Sequence, residues 1–283
     1  MKTAITRAVS PTIGRCQLTY MSRQPIDYHK AVQQHSAYRH ALREMGLEVI
    51  CLPAQADLPD AVFVEDNALV LDELAIIGAT AVPSRKPELS SMGSFLARHR
   101  QVHSLGEGIA FEGGDVIRQG RTLYVGQSGR TCLDAIVRLS EILEGFDYRV
   151  KPVKVSQCLH LSTGASFISS DTILVNPEWI DLSIFAGCKI IETPQDEPWA
   201  ANALAVNGSV LVPDGFPKTC ELLTSHGFSV RVVDVSEFLK AEAGVTCLVN
   251  ILEINENSCE TGMNQGVEQE QYLHPVHAAV QVS

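Results

Sequence analysis

The sequence predicts an α/β domain in which one small sheet-plus-helix unit repeats around a centre. β-rich segments come in pairs joined by short polar turns, and a helical stretch follows most pairs. The polar clusters that open successive units stand at Glu65-Asp66, Glu112, His160, Ala201-Asn202 and Cys247, at intervals of 46, 48, 42 and 45 residues counted from Asp66. A period of roughly 40–50 residues with one sheet and one helix per period marks a radial array such as a propeller. The 283 residues give room for one large domain or two small ones, and 45 % hydrophobic with 19 % charged residues is enough to fill a core; the repeat is taken as one domain over residues 1–254.

The elements follow in order. Asp27 can cap a helix whose Tyr28, Ala31, Val32, Tyr38, Leu42 and Met45 recur at three- and four-residue spacing, with Gly46 closing it. Segments 61–71 and 74–79 form a hairpin around Asp72-Glu73, and a charged helical stretch covers 90–100. Segments 115–118 and 122–125 flank Gln119-Gly120, and Thr131 with Asp134 opens a helix running through Leu133, Ile136, Val137 and Leu143 to Gly145. Segments 165–168 and 172–175 flank Ser169-Ser170-Asp171. Segments 203–206 and 210–212 flank Asn207-Gly208, the strongest hairpin signature in the chain, and Pro217 starts a short helix ending at Gly227.

Composition narrows the function. Twenty-two Lys and Arg against 33 Asp and Glu give a net charge of −11, with the basic residues scattered, so no nucleic acid is expected as a partner. No apolar run approaches the roughly 20 residues of a bilayer span, and no membrane partner is expected. The first residues carry Lys2 and Arg7 without an apolar segment behind them, so they do not read as a signal peptide. The eight cysteines are far apart with no CxxC pair, and are expected as reduced thiols of a cytoplasmic protein rather than as a zinc site or disulfide framework.

In a radial array the unit openings face one axis, which would collect Glu65, Asp66, Glu112, Asp115, His160 and Cys247. That set holds a thiol, an imidazole and several carboxylates. A protonated imidazole near a cysteine favours the thiolate, and a carboxylate behind the histidine fixes its tautomer and raises its basicity. Further carboxylates suit a cationic substrate, a guanidinium above all. Each motif also has a plainer reading. Cys247 in Gly-Val-Thr-Cys-Leu-Val reads as a buried strand residue, His160 as a core histidine, Glu65-Asp66 as a solvated loop, and Glu112-Gly113-Gly114-Asp115 as a tight turn with positive-φ glycines. Their shared phase in the repeat is what joins them.

Phe63-Val64-Glu65-Asp66, Phe111-Glu112-Gly113-Gly114-Asp115, Leu159-His160-Leu161, Ala200-Ala201-Asn202 and Gly244-Val245-Thr246-Cys247 together resemble the dimethylarginine dimethylaminohydrolases (dimethylargininases). These are guanidine-modifying enzymes with the five-bladed α/β-propeller, or pentein, fold of pseudo-fivefold ββαβ repeats. The resemblance runs in order and spacing from about residue 3 to 254 and includes Tyr28-His29-Lys30-Ala31. It implies that Cys247 is the nucleophile, His160 the general acid and then base, and Glu112 the carboxylate partner of the histidine. It implies Asp66 on the substrate guanidinium with Glu65 in support, Phe63 beside them, Asp60 on the α-amine, and Arg85 and Arg130 on the α-carboxylate. The partner implied is a small-molecule guanidine amino acid. No metal or cofactor is implied, and a homodimer is compatible with the family.

Two departures matter. Arginine deiminases typically carry His-Leu-Asp where this chain has His160-Leu161-Ser162, and a small hydroxyl there is expected to leave room for N-methyl groups. Asn67 does not match the residue expected after Asp66 and is taken to border the guanidinium site. The reading is therefore a hydrolase of Nω-methylated arginine, with deimination of another guanidine such as unmethylated arginine, or amino-acid binding without catalysis, as alternatives. Residues 255–283 read as an acidic, flexible tail carrying Tyr272-Leu273-His274-Pro275, in which His274 and His277 lack companion ligands.

Overall fold

The computed structural model describes residues 2–254, so the tail lies outside the described residues. In chain order, β1 (Lys2–Arg7) leads to α1 (Tyr28–Glu44) and β2 (Glu48–Leu52). Three complete units follow: β3 (Ala68–Val70), β4 (Leu74–Ile77), α2 (Glu88–Leu96) and β5 (Gln101–Ser104); β6 (Val116–Gln119), β7 (Thr122–Gln127), α3 (Leu133–Leu143) and β8 (Arg149–Lys154); and, after the one-turn α4 (Leu161–Gly164), β9 (Ala165–Phe167), β10 (Thr172–Val175) and β11 (Lys189–Glu192). The fourth unit is β12 (Leu204–Val206), β13 (Ser209–Pro213), α5 (Pro217–Ser225) and β14 (Ser229–Val233); the one-turn α6 (Ser236–Leu239) and β15 (Asn250–Glu253) end the described chain.

Five three-stranded sheets result, each with the same topology. Within each complete unit the second strand pairs antiparallel with the first and parallel with the third. The fifth sheet is assembled from both ends of the chain: β15 takes the place of the first strand, antiparallel to β1, and β1 runs parallel to β2. A ring closed in this way has no free seam, and Cys247 stands just before the closing strand.

The core confirms the radial plan, because each apolar cluster fills the space between neighbouring units. Leu69, Leu74 and Ile76 pack with Leu123, Val125 and Leu139; Ile117, Tyr124 and Val153 pack with Ile173, Val175 and Phe185. Ile168 and Leu174 pack with Val210, Val212 and Leu223; Leu211 and Val206 with Tyr38, Leu42 and Ala4; and Ile5 and Leu252 with Ala75, Met92 and Phe95. The structure is the radial array expected from the repeat, in the five-bladed α/β-propeller form that the family resemblance implies.

Most predicted elements form, with instructive differences. Asp27 caps α1 by accepting from the Lys30 N–H at 3.1 Å, and Gly46 follows it at φ +86°. Asn207 and Gly208 both take positive φ, 49° and 82°, as a two-residue hairpin requires. The expected strand over 61–71 shrinks to β3, because Val64–Asn67 is a 3-10 turn that curls Glu65 and Asp66 towards the axis. Asp115 likewise belongs to the turn Gly113–Asp115, not to β6. At the end of α3 the left-handed residue is Asp147 (φ 59°) rather than Gly145. The third blade crosses over by a 3-10 turn, Leu182–Phe185, in place of an α-helix.

One contact ties the outer helix to the axis. The fully buried Tyr38 of α1 donates its hydroxyl to the Val245 carbonyl at 2.6 Å, two residues before Cys247. Tyr38→Phe leaves that carbonyl without its donor and is expected to lower stability by about 1–3 kcal/mol in urea unfolding.

Candidate active site

The blade openings are short turns that precede each innermost strand, so side chains far apart in sequence meet at one end of the axis. His160 is the N-cap residue of α4 and is 1 % exposed. Its Nε2 lies 2.8 Å from Glu112 Oε2, and its Nδ1 faces Asp66 Oδ1 at 3.6 Å. Glu112 is 1 % exposed and is secured from three sides. The Thr80 hydroxyl donates to Oε1 at 2.5 Å, Arg130 reaches the same oxygen at 3.4 Å, and the Glu112 N–H donates to the Thr131 hydroxyl at 3.2 Å.

The glycines of Glu112-Gly113-Gly114-Asp115 serve space rather than positive φ. A Cβ on Gly113 would lie 2.2 Å from the Glu65 carbonyl oxygen, and one on Gly114 2.7 Å from Asp66 Oδ1 and 2.9 Å from His160 Nδ1. The close approach of the two turns therefore needs bare backbone at both positions.

Asp60, Phe63, Asp66, Arg85, Arg130, His160 and Cys247 line one narrow cavity, with Gln17, Leu159, Ala241, Glu242 and Ala243 completing its wall. Two predicted site residues stand outside it. Glu112 backs His160. Glu65 lies beneath, its Oε2 accepting from the Ser162 hydroxyl at 3.2 Å and the Thr246 hydroxyl at 2.9 Å, and it lines a separate cavity with Thr246, Asn250 and Arg118. Ser162 is thus committed to Glu65 and is not among the residues lining the first cavity, so the expected free space at this position does not open onto it. Asn67 is also displaced from its expected role: its amide donates to the Phe63 carbonyl and to Glu88 Oε2, both at 3.3 Å, away from the cavity.

The two arginines differ. Arg85 is 4 % exposed and saturated with acids: Nη1 lies 2.8 Å from Asp66 Oδ2 and 3.7 Å from Glu112 Oε2, while Nε and Nη2 both bond Glu88. Arg130 makes only long contacts, at 3.4 Å to Glu112 and 3.4 Å to the Thr19 hydroxyl. Asp60 Oδ1 accepts the Gln17 N–H at 2.9 Å, and its Oδ2 has no hydrogen-bond partner among the described residues.

Sequence reading missed four contributors: Thr80, Glu88, Gln17 and Glu242. Glu242 takes a left-handed backbone (φ 58°) and gathers the N–H groups of Thr19, Tyr20 and Met21 at 2.5–3.0 Å, fixing the strand of chain that carries Gln17. No local motif announces any of the four.

The electrostatics set the resting protonation. Burial alone would discharge His160, but Asp66, the Glu112 hydrogen bond and Asp115 outweigh it and raise its pKa to about 9. Burial works against the Glu112 carboxylate too, yet His160, Arg85 and Arg130 hold it well below the usual range. Cys247 is pushed well above an ordinary thiol by burial, then by Glu65 and Asp66, with the Gly244 N–H and the Thr246 hydroxyl offsetting only part. The site therefore rests as imidazolium, carboxylate and thiol. The thiolate that a nearby imidazolium is expected to favour is opposed here by burial first and by Glu65 and Asp66 next.

Asp66, Glu112 and His160 bring potential metal-ligand atoms within 4.8 Å of one another. Binding a cation there requires His160 to give up a proton that Asp66 and Glu112 stabilise. The donor set is better matched to a proton than to a metal.

A family model for "N,N dimethylarginine dimethylhydrolase, eukaryotic" matches residues 15–209. The N(G),N(G)-dimethylarginine dimethylaminohydrolase of Pseudomonas aeruginosa is 34 % identical over 78 % of this chain and 88 % of that protein. The enzyme of the same name from Streptomyces coelicolor is 33 % identical over 87 % and 95 %. The chain belongs to the dimethylarginine dimethylaminohydrolase family. The Pseudomonas aeruginosa family member, solved as a Cys-to-Ser mutant complexed with citrulline, superposes with a TM-score of 0.84 at 31 % identity, covering 87 % of this chain and 97 % of that one. The N-terminal domain of ArgZ, a cyanobacterial arginine dihydrolase, superposes at 0.78 with 21 % identity, covering 89 % and 98 %, a likeness of fold alone.

Two predictions test this dimethylargininase-family site. The raised His160 pKa contributes stability that is full below its ordinary value of 6.5 and is lost as pH rises through about 9. The difference in urea stability between wild type and His160→Asn should accordingly shrink across that interval. Asp66→Asn removes an acid that holds the thiol neutral, so iodoacetamide should alkylate Cys247 faster at neutral pH in this variant, read by mass spectrometry of the Cys247 peptide.

Proposed function

We propose that this protein hydrolyses Nω-methylated arginine to citrulline and the methylamine, through a covalent adduct on Cys247. The observation that carries the reading is His160, its Nε2 2.8 Å from Glu112 Oε2, on the wall of the same cavity as Cys247 and Asp66. The substrate guanidinium would lie against Asp66, whose Oδ1 has no hydrogen-bond partner among the described residues. The substrate α-amine would find the unpartnered Oδ2 of Asp60, and the α-carboxylate would find Arg130, whose contacts are long enough to be exchanged.

The arriving cation offsets the burial and the acids that keep the thiol protonated, so substrate binding itself favours release of the thiol proton to solvent and leaves the thiolate. The thiolate attacks the guanidinium carbon. As the tetrahedral adduct collapses, the C–N bond to dimethylamine breaks and His160 gives that nitrogen its proton, which avoids expelling an amide anion. An S-alkylthiouronium remains on Cys247. Neutral His160 then takes a proton from water, the hydroxide adds to the same carbon, and the C–S bond breaks to release citrulline and the cysteine. Glu112 stabilises the charged imidazole at both ends of the cycle.

The second reading keeps this chemistry and replaces the substrate with unmethylated arginine. Its support is the bifunctional arginine dihydrolase/ornithine cyclodeaminase ArgZ of Synechocystis, 26 % identical over 77 % of this chain but only 33 % of that protein. The deciding experiment incubates the purified protein with Nω,Nω-dimethylarginine and with arginine. Citrulline with dimethylamine from the first, in excess over citrulline with ammonia from the second, is the expected result. Cys247→Ser should abolish both; undiminished turnover by that variant removes the covalent route.

A further inference from the structure

Arg130 is buried, yet its side chain meets only the long contacts to Glu112 and to the Thr19 hydroxyl, both at 3.4 Å. Where its guanidinium stands is therefore decided largely by its backbone, and that backbone turns around Ser128. The Arg130 N–H donates to Ser128 Oγ at 2.9 Å, and the Thr131 N–H donates to the same oxygen at 3.3 Å. A hydroxyl has one proton and two lone pairs, so it accepts two N–H groups well only when its proton is drawn to an acceptor elsewhere. Asp115 Oδ2 is that acceptor, at 2.6 Å. Asp115 is fully buried, and its second oxygen reaches another blade: Oδ1 accepts the N–H of Leu161, the residue after His160, at 3.1 Å. The carboxylate fits there because position 126 is glycine, where a Cβ would lie 2.5 Å from Oδ1. Burial raises the Asp115 pKa to about 6, against His160 and the Ser128 hydroxyl, and still leaves it ionised at neutral pH. One carboxylate thus joins the loop that carries Arg130 to the turn that carries His160.

We propose that Ser128, with Asp115 behind it, is a positioning residue that acts through Arg130 and fixes the span between the site of the substrate α-carboxylate and His160. This deepens the proposed function and rests on it, in that Arg130 takes the carboxylate of a guanidino amino acid. The pair would set the length of side chain that the enzyme accepts, because carboxylate and guanidinium carbon must reach Arg130 and the His160 end of the cavity together.

Ser128→Ala removes the shared acceptor and frees the loop that carries Arg130. In this variant KM for Nω,Nω-dimethylarginine should rise about tenfold, as for the loss of one charge-assisted hydrogen bond. The value of kcat should stay within about twofold, as for a lost uniform binding contact. KM for the matching N,N-dimethylguanidino-alkylamine, which lacks the carboxylate, should not move. The preference for Nω,Nω-dimethylarginine over its homologue one methylene longer should weaken. Ser128→Thr keeps the hydroxyl and should restore the wild-type values. An equal rise for the substrates with and without a carboxylate overturns the inference, as does no rise for the amino acid or a length preference left intact.

A second arm needs no turnover. The amide protons of Arg130 and Thr131, followed by NMR, should exchange with solvent about tenfold faster in Ser128→Ala than in wild type; unchanged exchange overturns the inference. Asp115→Asn turns one of two acceptor oxygens into a donor, so either Leu161 or the pair Arg130 and Thr131 should exchange faster, and neither doing so removes Asp115 from the role. Wild-type protein that releases citrulline from neither guanidine refutes the proposed function, while the exchange arm still decides whether Ser128 holds the loop. Should Ser128→Ala fail to fold, Ser128→Cys carries both arms, because a thiol keeps a proton for Asp115 but accepts N–H groups weakly.

Discussion

The ion pair of His160 and Glu112, 2.8 Å apart and almost wholly buried, is the interaction on which the rest of the site depends. Two charges removed from water are held there only if each remaining lone pair and proton has a partner. The blades supply them from separate directions: Thr80 from the loop after β4, Arg130 from the loop before α3, Asp66 from the turn before β3. A propeller axis suits this task because five openings converge on it while the apolar clusters stay between the blades, away from the charges.

That arrangement has a direct effect on the sulfur. Asp66, which favours the protonated form of His160, also disfavours the Cys247 thiolate, where it adds to burial and Glu65. One carboxylate thus acts on both groups, favouring the charged imidazole and the un-ionised thiol. A guanidinium brings the positive charge that the sulfur lacks. Reactivity towards other electrophiles is then suppressed until a cation of the right shape arrives, which is a form of specificity exerted through protonation rather than through contact.

Much of this was legible in the sequence, for physical reasons that differ between residues. Asn207-Gly208 announces its hairpin because only such residues take two positive φ angles in succession, and Asp27 announces α1 because its carboxylate meets an unpaired N–H. The spacing of the acids, His160 and Cys247 shows a ring because equal spacing places them at equal positions in equal blades. What stayed hidden depends on closing the ring. β15 cannot be seen as the first strand of the blade that holds β1 until the chain ends meet. Glu88 reads as a charged residue on a helix, and its burial against Arg85 follows from how α2 lies over its sheet. Gly113 and Gly114 suggested a turn; their real constraint is the neighbouring blade, which a single segment of sequence does not contain.

The same geometry explains why five openings of like backbone can carry unlike chemistry. Each innermost strand begins where its blade meets the axis, and the residue just before it is free to be an acid, a histidine, an amide or a thiol without disturbing the strand behind. Asn202 shows the limiting case: it contributes no charge, but its amide donates to the Ser162 carbonyl and to the Thr246 hydroxyl while its oxygen accepts the Thr246 N–H. A neutral side chain in that blade ties the histidine turn to the cysteine turn. Its packing is tight enough that a Cβ on Gly244 would fall 2.3 Å from its oxygen. The turns that carry His160 and Cys247 on two blades are therefore held in register by a third blade, and the distance between them is set by hydrogen bonds across the axis instead of by the length of chain that separates them.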